Sequence, residues 1–292
     1  MDSASLKVAL AQPADTLPTG AGWAYEPKFD GDRTTVQRGQ HTVTMRSRAG
    51  RVVNGSWPDL VTAAQRLPAG VLLDGEICVW RDGRLDFGAV RSRASSSSLR
   101  ARQLAASMPA SFAAWDVLAH PEHGEDLRGW PYSERRQILL DLLAPLGPPL
   151  QPVPMTTDIA EARIWFEVLP EQGLEGIVAK RLDGRYPRGR SGGWRKIRHS
   201  ETVDCQVVGY TGTPARPTHL VVRLPDGRVA LTRTLTAAVR VPAAAWLRDS
   251  GPGRAARTTG GEKYTTCTRG LVVEVLAGTT RHATVTATRV RE

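Results

Sequence analysis

Apolar and polar positions change their period along this chain. Residues 34–37, 42–46 and 71–80 are rich in β-branched and apolar side chains. Turn signals flank them, Arg38-Gly39 and Asp82-Gly83, which predicts strands. Residues 132–143 carry apolar side chains at helical spacing and stop before Pro145, which predicts a helix. A second helix is predicted over 158–169, with Asp158 as its N-cap. Residues 176–179 and 194–197 read as short buried strands. The stretch 91–102 contains the run Ser95-Ser96-Ser97-Ser98 and reads as a mobile loop. Residues 23 to about 198 therefore read as mixed strands and helices.

From Thr202 the character changes. Residues 203–210, 219–224, 228–233, 271–276 and 283–290 are strand-like, with Pro and Gly turns between them, and 236–248 is helix-like. Residues 250–269 are rich in Gly, Thr and Arg and read as a flexible loop. Five strands and one helix match a small Greek-key barrel of the oligonucleotide-binding (OB) type. The expectation is two domains, 1–198 and 199–292, with no internal repeat.

Composition narrows the partner. A net charge of +10 and a pI near 10.1 favour a polyanion, nucleic acid first. From residue 199 onward there are thirteen Arg or Lys against seven Asp or Glu, so about +6 of that charge lies there. Cys78, Cys205 and Cys267 are far apart and form no CxxC pair, which argues against a disulfide framework or a zinc site. His120 and His123 have no other ligand types near them. The N-terminus lacks a signal segment and no apolar run is long enough to span a bilayer, so a soluble, cytoplasmic protein is expected.

Five lysines stand against 34 arginines, and three of the five sit in chemically legible motifs. Lys28 lies in Glu26-Pro27-Lys28-Phe29-Asp30-Gly31-Asp32-Arg33. Lys180 closes Glu175-Gly176-Ile177-Val178-Ala179-Lys180. Lys196 lies in Trp194-Arg195-Lys196-Ile197-Arg198. Arginine cannot lose its proton, whereas a lysine amine can, and can then attack an electrophile such as phosphorus. Lys7 and Lys263 have no such company. Asp30-Gly31 makes a tight turn beyond Lys28, and Arg33 follows within reach of a phosphate or ribose. Asp74-Gly75-Glu76 interrupts an apolar strand, which costs stability unless the acids serve a purpose. Glu175-Gly176 repeats that pattern. Trp115-Asp116 offers an aromatic face to a purine.

Taken in order, these motifs resemble the covalent nucleotidyltransferases, and most closely the small bacterial ATP-dependent DNA ligases, a group related to the ligase module of bacterial end-joining proteins. Ser47-Arg48-Ala49-Gly50 and Ser133-Glu134-Arg135-Arg136 add to the resemblance, which runs from about Trp23 to Arg198. It implies an α+β nucleotidyltransferase domain of antiparallel sheets with helices, residues 1–198, followed by an OB-fold β-barrel, residues 199–292. It implies that Lys28 becomes adenylylated and that Glu26 accepts from the adenine amino group. Arg33 and Arg48 would hold ribose and phosphate, and Trp115 would stack on adenine. Lys180 and Lys196 would contact the α-phosphate. Glu76 would take the ribose or a metal, and Glu175 the metal. The family usually has a lysine where this chain has Arg198, which can still act as a phosphate ligand. The family's C-terminal motif, which orients pyrophosphate, is matched only by Arg281-His282, Arg289 and Arg291.

The implied cofactors are ATP and Mg²⁺ or Mn²⁺. No lysine follows a glycine, so there is no P-loop, and the 27 residues before Lys28 leave no room for a nicotinamide-recognising domain. The implied partner is nicked double-stranded DNA, with end-joining or repair proteins acting in trans on a monomer, and a hinge near residues 199–202. RNA ligase or capping-type chemistry, and a non-catalytic nucleic-acid-binding relative, are the alternatives.

Overall fold

The computed structural model describes residues 6–198, 200–251, 253–278 and 285–291. They divide into two compact units, Met1–Arg198 and His199–Glu292. The first unit contains strands β1 (Leu10–Pro13), β2 (Trp23–Lys28), β3 (Asp32–Arg38), β4 (Val43–Ser47), β5 (Leu72–Arg81), β6 (Arg84–Leu85), β7 (Ala110–Ala119), β8 (Leu150–Pro152), β9 (Gly176–Arg181) and β10 (Arg190–Arg198). Its helices are α1 (Pro58–Ala64), α2 (Phe87–Ala94), α3 (Ser98–Ser107), α4 (Tyr132–Leu143) and α5 (Ile159–Val168).

These strands form two sheets. One has the order β1-β10-β9-β2, and the other β4-β3-β5-β7-β8 with β6 beside β5. Pairing is antiparallel except at β1–β10 and β7–β8. Side chains alternate across a strand, so each sheet has two distinct faces. In the first sheet, Trp23, Tyr25, Ile177, Ala179 and Ile197 pack with Ala162 of α5. In the second, Val36, Met45, Leu73, Ile77 and Phe112 pack with Leu60 of α1 and Leu139 of α4. A small apolar cluster, Ala9, Leu72, Leu118, Tyr186 and Trp194, draws on both sheets. The mixed α+β architecture expected for this part of the chain is what the structure contains.

Helix ends follow local chemistry. Asp158 accepts from the Ala160 amide at 2.7 Å and starts α5. The predicted helix over 132–143 is α4. The serine run is a correction: residues 91–102 are not a loop but parts of α2 and α3. Ser97 caps α3 by accepting from the Arg100 amide, while Ser95 and Ser96 hydroxyls return to the carbonyls of Arg91 and Arg93. Arg93, fully buried, grips Asp59 with contacts of 2.8 and 2.6 Å and draws α2 onto α1. Four serines in series thus form a helix junction, because each finds a backbone partner.

The second unit contains β11 (Ser200–Thr213), β12 (Arg216–Arg223), β13 (Val229–Leu231), α6 (Ala237–Arg248), β14 (Ala255–Arg257), β15 (Lys263–Gly278) and β16 (Thr286–Arg291). The sheet order is β13-β12-β11-β15-β14, with β16 also on β15. A parallel bridge between Thr232 and Val285 brings its ends together, and α6 contributes Val239, Ala243 and Leu247 to the core. This is the OB-type barrel, with six strands among the described residues rather than five. The reading of 250–269 as a loop is corrected: β14 and the first part of β15 occupy it, paired Ala255↔Thr265, Ala256↔Tyr264 and Arg257↔Lys263. Cross-strand bonding satisfies this polar backbone in a way local composition does not reveal. Arg281 and His282 lie outside the described residues, as does His199 of the expected hinge. Arg291 pairs with Asp204 and Glu274. Among the described residues, no helix is long and apolar enough to cross a membrane.

One buried pair ties the first unit together. Arg135 of α4 meets Asp116 of β7 through two contacts, 2.7 and 3.0 Å, with both side chains fully enclosed. Arg135 also donates to the carbonyls of Trp130 and Gly184. Removing one partner of such a pair strands a buried charge. Asp116→Ala is expected to lower stability by about 3–5 kcal/mol in urea denaturation; a loss below about 1 kcal/mol would show that water reaches Arg135.

Candidate active site

The two sheets of the first unit line one cleft. Glu26 and Lys28 are alternate residues of β2 and share the face opposite Trp23 and Tyr25. Val178 and Lys180 of β9, and Trp194, Lys196 and Arg198 of β10, line it by the same alternation. Register stacks them in rows: Lys28↔Gly176↔Arg198, Glu26↔Val178↔Lys196 and Ala24↔Lys180↔Trp194. Gly176 has a φ of 145°, and a Cβ there would lie 2.1 Å from the Ile197 carbonyl oxygen, so no other residue fits.

The facing sheet supplies Arg33, Glu76 and Trp115, with Arg48 following β4. In the β5–β7 ladder, Gly75 pairs with Ala114 and Asp74 with Asp116, which makes Trp115 the extra residue of a bulge. The bulge aims the indole into the cleft instead of the ladder. The indole Nε1 donates to Asp74 at 2.9 Å, and Arg33 lies 5.2 Å from its ring centroid.

Every proposed nucleotide ligand therefore lines the same cleft: Glu26, Lys28, Arg33, Arg48, Glu76, Trp115, Lys180, Lys196 and Arg198. Glu175 stands just behind, with its Oε2 2.5 Å from the Lys28 amine and 3.4 Å from Arg198. Two residues are engaged otherwise than the motif reading expects. Lys180 is 1% exposed, and its amine meets Glu26 at 2.6 Å and the Trp115 carbonyl at 3.1 Å. Arg33 directs Nε and Nη2 to Asp74 and Nη1 to the Ala9 carbonyl. Both cations spend their donors inside the protein because a buried charge needs a local partner.

Charge in the cleft is divided. Burial, then repulsion from Glu175, raises the Asp30 carboxyl to about 7. Burial raises Glu76 to about 8, with Lys28 and Arg33 opposing; its Oε1 accepts from the Gly31 amide at 3.1 Å. Burial works against Glu175 too, but Lys28 and Arg198 outweigh it and hold that carboxyl below its ordinary value. Across the cleft the sign reverses. Burial and then repulsion from Arg198, Lys28, Arg190 and Arg48 lower the Lys196 amine. Among the described residues, Arg48, Arg190 and Lys196 have no carboxylate partner. A cluster of unpaired cations in a cleft is a site for a polyanion.

Sequence reasoning missed Asp30, Arg190, Tyr132 and Tyr186 as parts of the site. Arg190 shares the parity of Trp194, Lys196 and Arg198 along β10, a signal that alternation supplies. Tyr132 and Tyr186 donate to Glu26 and Asp74 across 106 and 112 residues, and no local pattern reports that.

Comparison with known proteins agrees with this geometry. The chain is 38% identical over 202 residues to DNA ligase C2 of Mycolicibacterium smegmatis, covering 69% of this chain and 56% of that protein. It is 37% identical over 206 residues to DNA ligase C of Mycobacterium tuberculosis, with the same two shares. The chain spans about half the length of the curated relatives it matches. The crystal structure of the ligase domain of M. tuberculosis LigD superposes with a TM-score of 0.58 at 25% identity, covering 100% of this chain and 96% of that one. The family model for the ATP-dependent DNA ligase domain matches residues 8–198, the stretch that builds both sheets and the whole cleft, and the chain belongs to that family.

Proposed function

We propose that this chain is an ATP-dependent DNA ligase that seals nicks through a lysyl-AMP intermediate on Lys28. One observation carries the reading. The Lys28 amine stands in a cleft between three carboxylates, Asp30, Glu76 and Glu175, and the unpaired cations Arg48, Arg190 and Lys196.

In the first step the Lys28 nitrogen bonds to the α-phosphorus of ATP, the bond from that phosphorus to the bridging oxygen breaks, and pyrophosphate leaves. Lys196, Arg198, Arg48 and Arg190 take up phosphate charge in a site whose donors are already in place. Trp115 stacks on the adenine, and Glu26 faces its amino group. In the second step a 5′-phosphate oxygen at the nick displaces Lys28 and takes the adenylate. In the third, the 3′-hydroxyl attacks that activated phosphate, and AMP departs. Holding the reactants in line supplies much of the acceleration.

The carboxylates fit a hard divalent cation. Asp30 and Glu76 are raised by burial, and Glu175 Oε2 faces Lys28 without hydrogen-bond alignment, so the group is short of positive charge. Glu175 and Glu76 would hold Mg²⁺ or Mn²⁺, which would supply charge neutralisation at the reacting phosphates. Arg33, bound to Asp74, fits better as a wall that fixes Trp115 than as a mobile phosphate ligand.

In the second unit, exposed Arg216, Arg223 and Arg254 suit the phosphate backbone of a duplex, a contact that weakens with salt and reads little sequence. Partners in trans from repair or end joining accord with this reading, and so does a cytoplasmic setting.

Two measurements test it. Incubated with α-labelled ATP, the protein is expected to acquire an acid-stable, hydroxylamine-labile label that nicked DNA discharges. Lys28→Arg is expected to abolish the label, and a labelled Lys28→Arg protein would remove Lys28 from its role. Trp115→Ala is expected to raise the KM for ATP by more than it lowers sealing at saturating ATP; the reverse pattern would make the indole a packing residue.

A further inference from the structure

Lys180 is the cleft cation that the mechanism leaves unused. Its amine lies 2.6 Å from Glu26 Oε2 and 3.1 Å from the Trp115 carbonyl oxygen. The rings of Trp194 and Tyr132 stand 4.3 and 4.7 Å away, so aromatic faces cover what the carboxylate leaves open. The Tyr132 hydroxyl, itself fully buried, donates to the other oxygen of Glu26. Each oxygen of Glu26 thus holds one internal donor, and the carboxylate borders the cleft beside Trp115.

We propose that Lys180 and Tyr132 are positioning residues that make Glu26 an acceptor-only reader of the purine 6-position, selecting a 6-amino base over a 6-oxo base. This rests on the reading of the cleft as a nucleotide site. An ionised carboxylate has lone pairs and no hydrogen to give. A 6-amino group donates to it, whereas a 6-oxo group sets a lone pair against a lone pair and leaves both unsatisfied. Lys180 keeps Glu26 charged by proximity, and Tyr132 fixes its rotation. The same ammonium holds the Trp115 backbone, so the group that reads the base edge and the indole beneath the base share one support. Both supports are buried, so they cost no reorganisation when the base arrives. Asp116 and Arg136 also act on the Lys180 charge, with opposite signs, and neither touches Glu26.

The test compares self-adenylylation with ATP against the equivalent reaction with inosine triphosphate, which differs only at the 6-position and the adjoining ring nitrogen. Wild-type protein is expected to prefer ATP in kcat/KM by at least about a hundredfold, the range a hydrogen-bonding site reaches. Lys180→Met is expected to raise the KM for ATP about tenfold, more than it lowers the saturated rate, and to narrow the preference by a similar factor. Tyr132→Phe should do the same more weakly, and it decides the matter if Lys180→Met does not fold by circular dichroism. Arg198→Ala, on the phosphate side, should slow both nucleotides alike. Folded variants that keep the wild-type preference overturn the proposal, as does a Lys180→Met protein that loses only the saturated rate. Wild-type protein labelled equally by both nucleotides overturns the proposal and leaves the ligase reading standing; protein labelled by neither removes the ligase reading itself.

Discussion

A charge taken out of water must be balanced where it stands, and that constraint shapes the first unit of this protein. Asp74, Asp116, Arg93, Arg135 and Lys180 are each almost wholly enclosed, and each has an opposite charge against it. Leaving one unpaired would cost several kcal/mol, a large share of the marginal stability of a typical domain. Asp74 alone accepts from Arg33, Trp115 and Tyr186, so three side chains from separate parts of the chain share one carboxylate. The pairs act as pins between the sheets and helices, and they hold the cleft walls in one geometry.

The same constraint separates scaffold from chemistry. Glu26 with Lys180 and Arg33 with Asp74 are closed pairs whose charges point at each other. Arg48, Arg190 and Lys196 lack such partners and leave positive potential in the open part of the cleft. Lys28 lies at the boundary, against Glu175 and in the field of the cations. A polyphosphate suits the unpaired side, and a flat base suits the side with Trp115 and Glu26. The second unit contrasts with this. Its charged contacts, such as Arg228 with Asp226 and Arg291 with Asp204, are solvent-exposed and worth little. Its fold rests on paired strands and the apolar cluster around Val222, Val239 and Val273.

Much of this was legible in the residues. Strand alternation places Glu26 with Lys28, Asp74 with Glu76, and Trp194 with Lys196 and Arg198 on common faces, whatever the rest of the chain does. The helices over 132–143 and 158–169 follow from apolar spacing, the Asp158 cap and the break at Pro145, all local features. What local features left open were the partners. The serine run became a helix junction because Arg93 found Asp59, and residues 250–269 became strands because β15 lay alongside. The bulge at Trp115 exists only in the β5–β7 register.

The amino-acid order by itself therefore determined which side chains share a face and which amine has acids two residues before and after it. Those relations are set by a repeat of two residues along a strand. Only the tertiary structure decided which cations are spent and which remain free. Lys180 and Lys196 have the same side chain on neighbouring strands of one sheet, yet one is neutralised by Glu26 and the other faces four cations. Coulomb energy depends on distance and burial, and those distances are fixed by sheets and helices brought together from far along the chain.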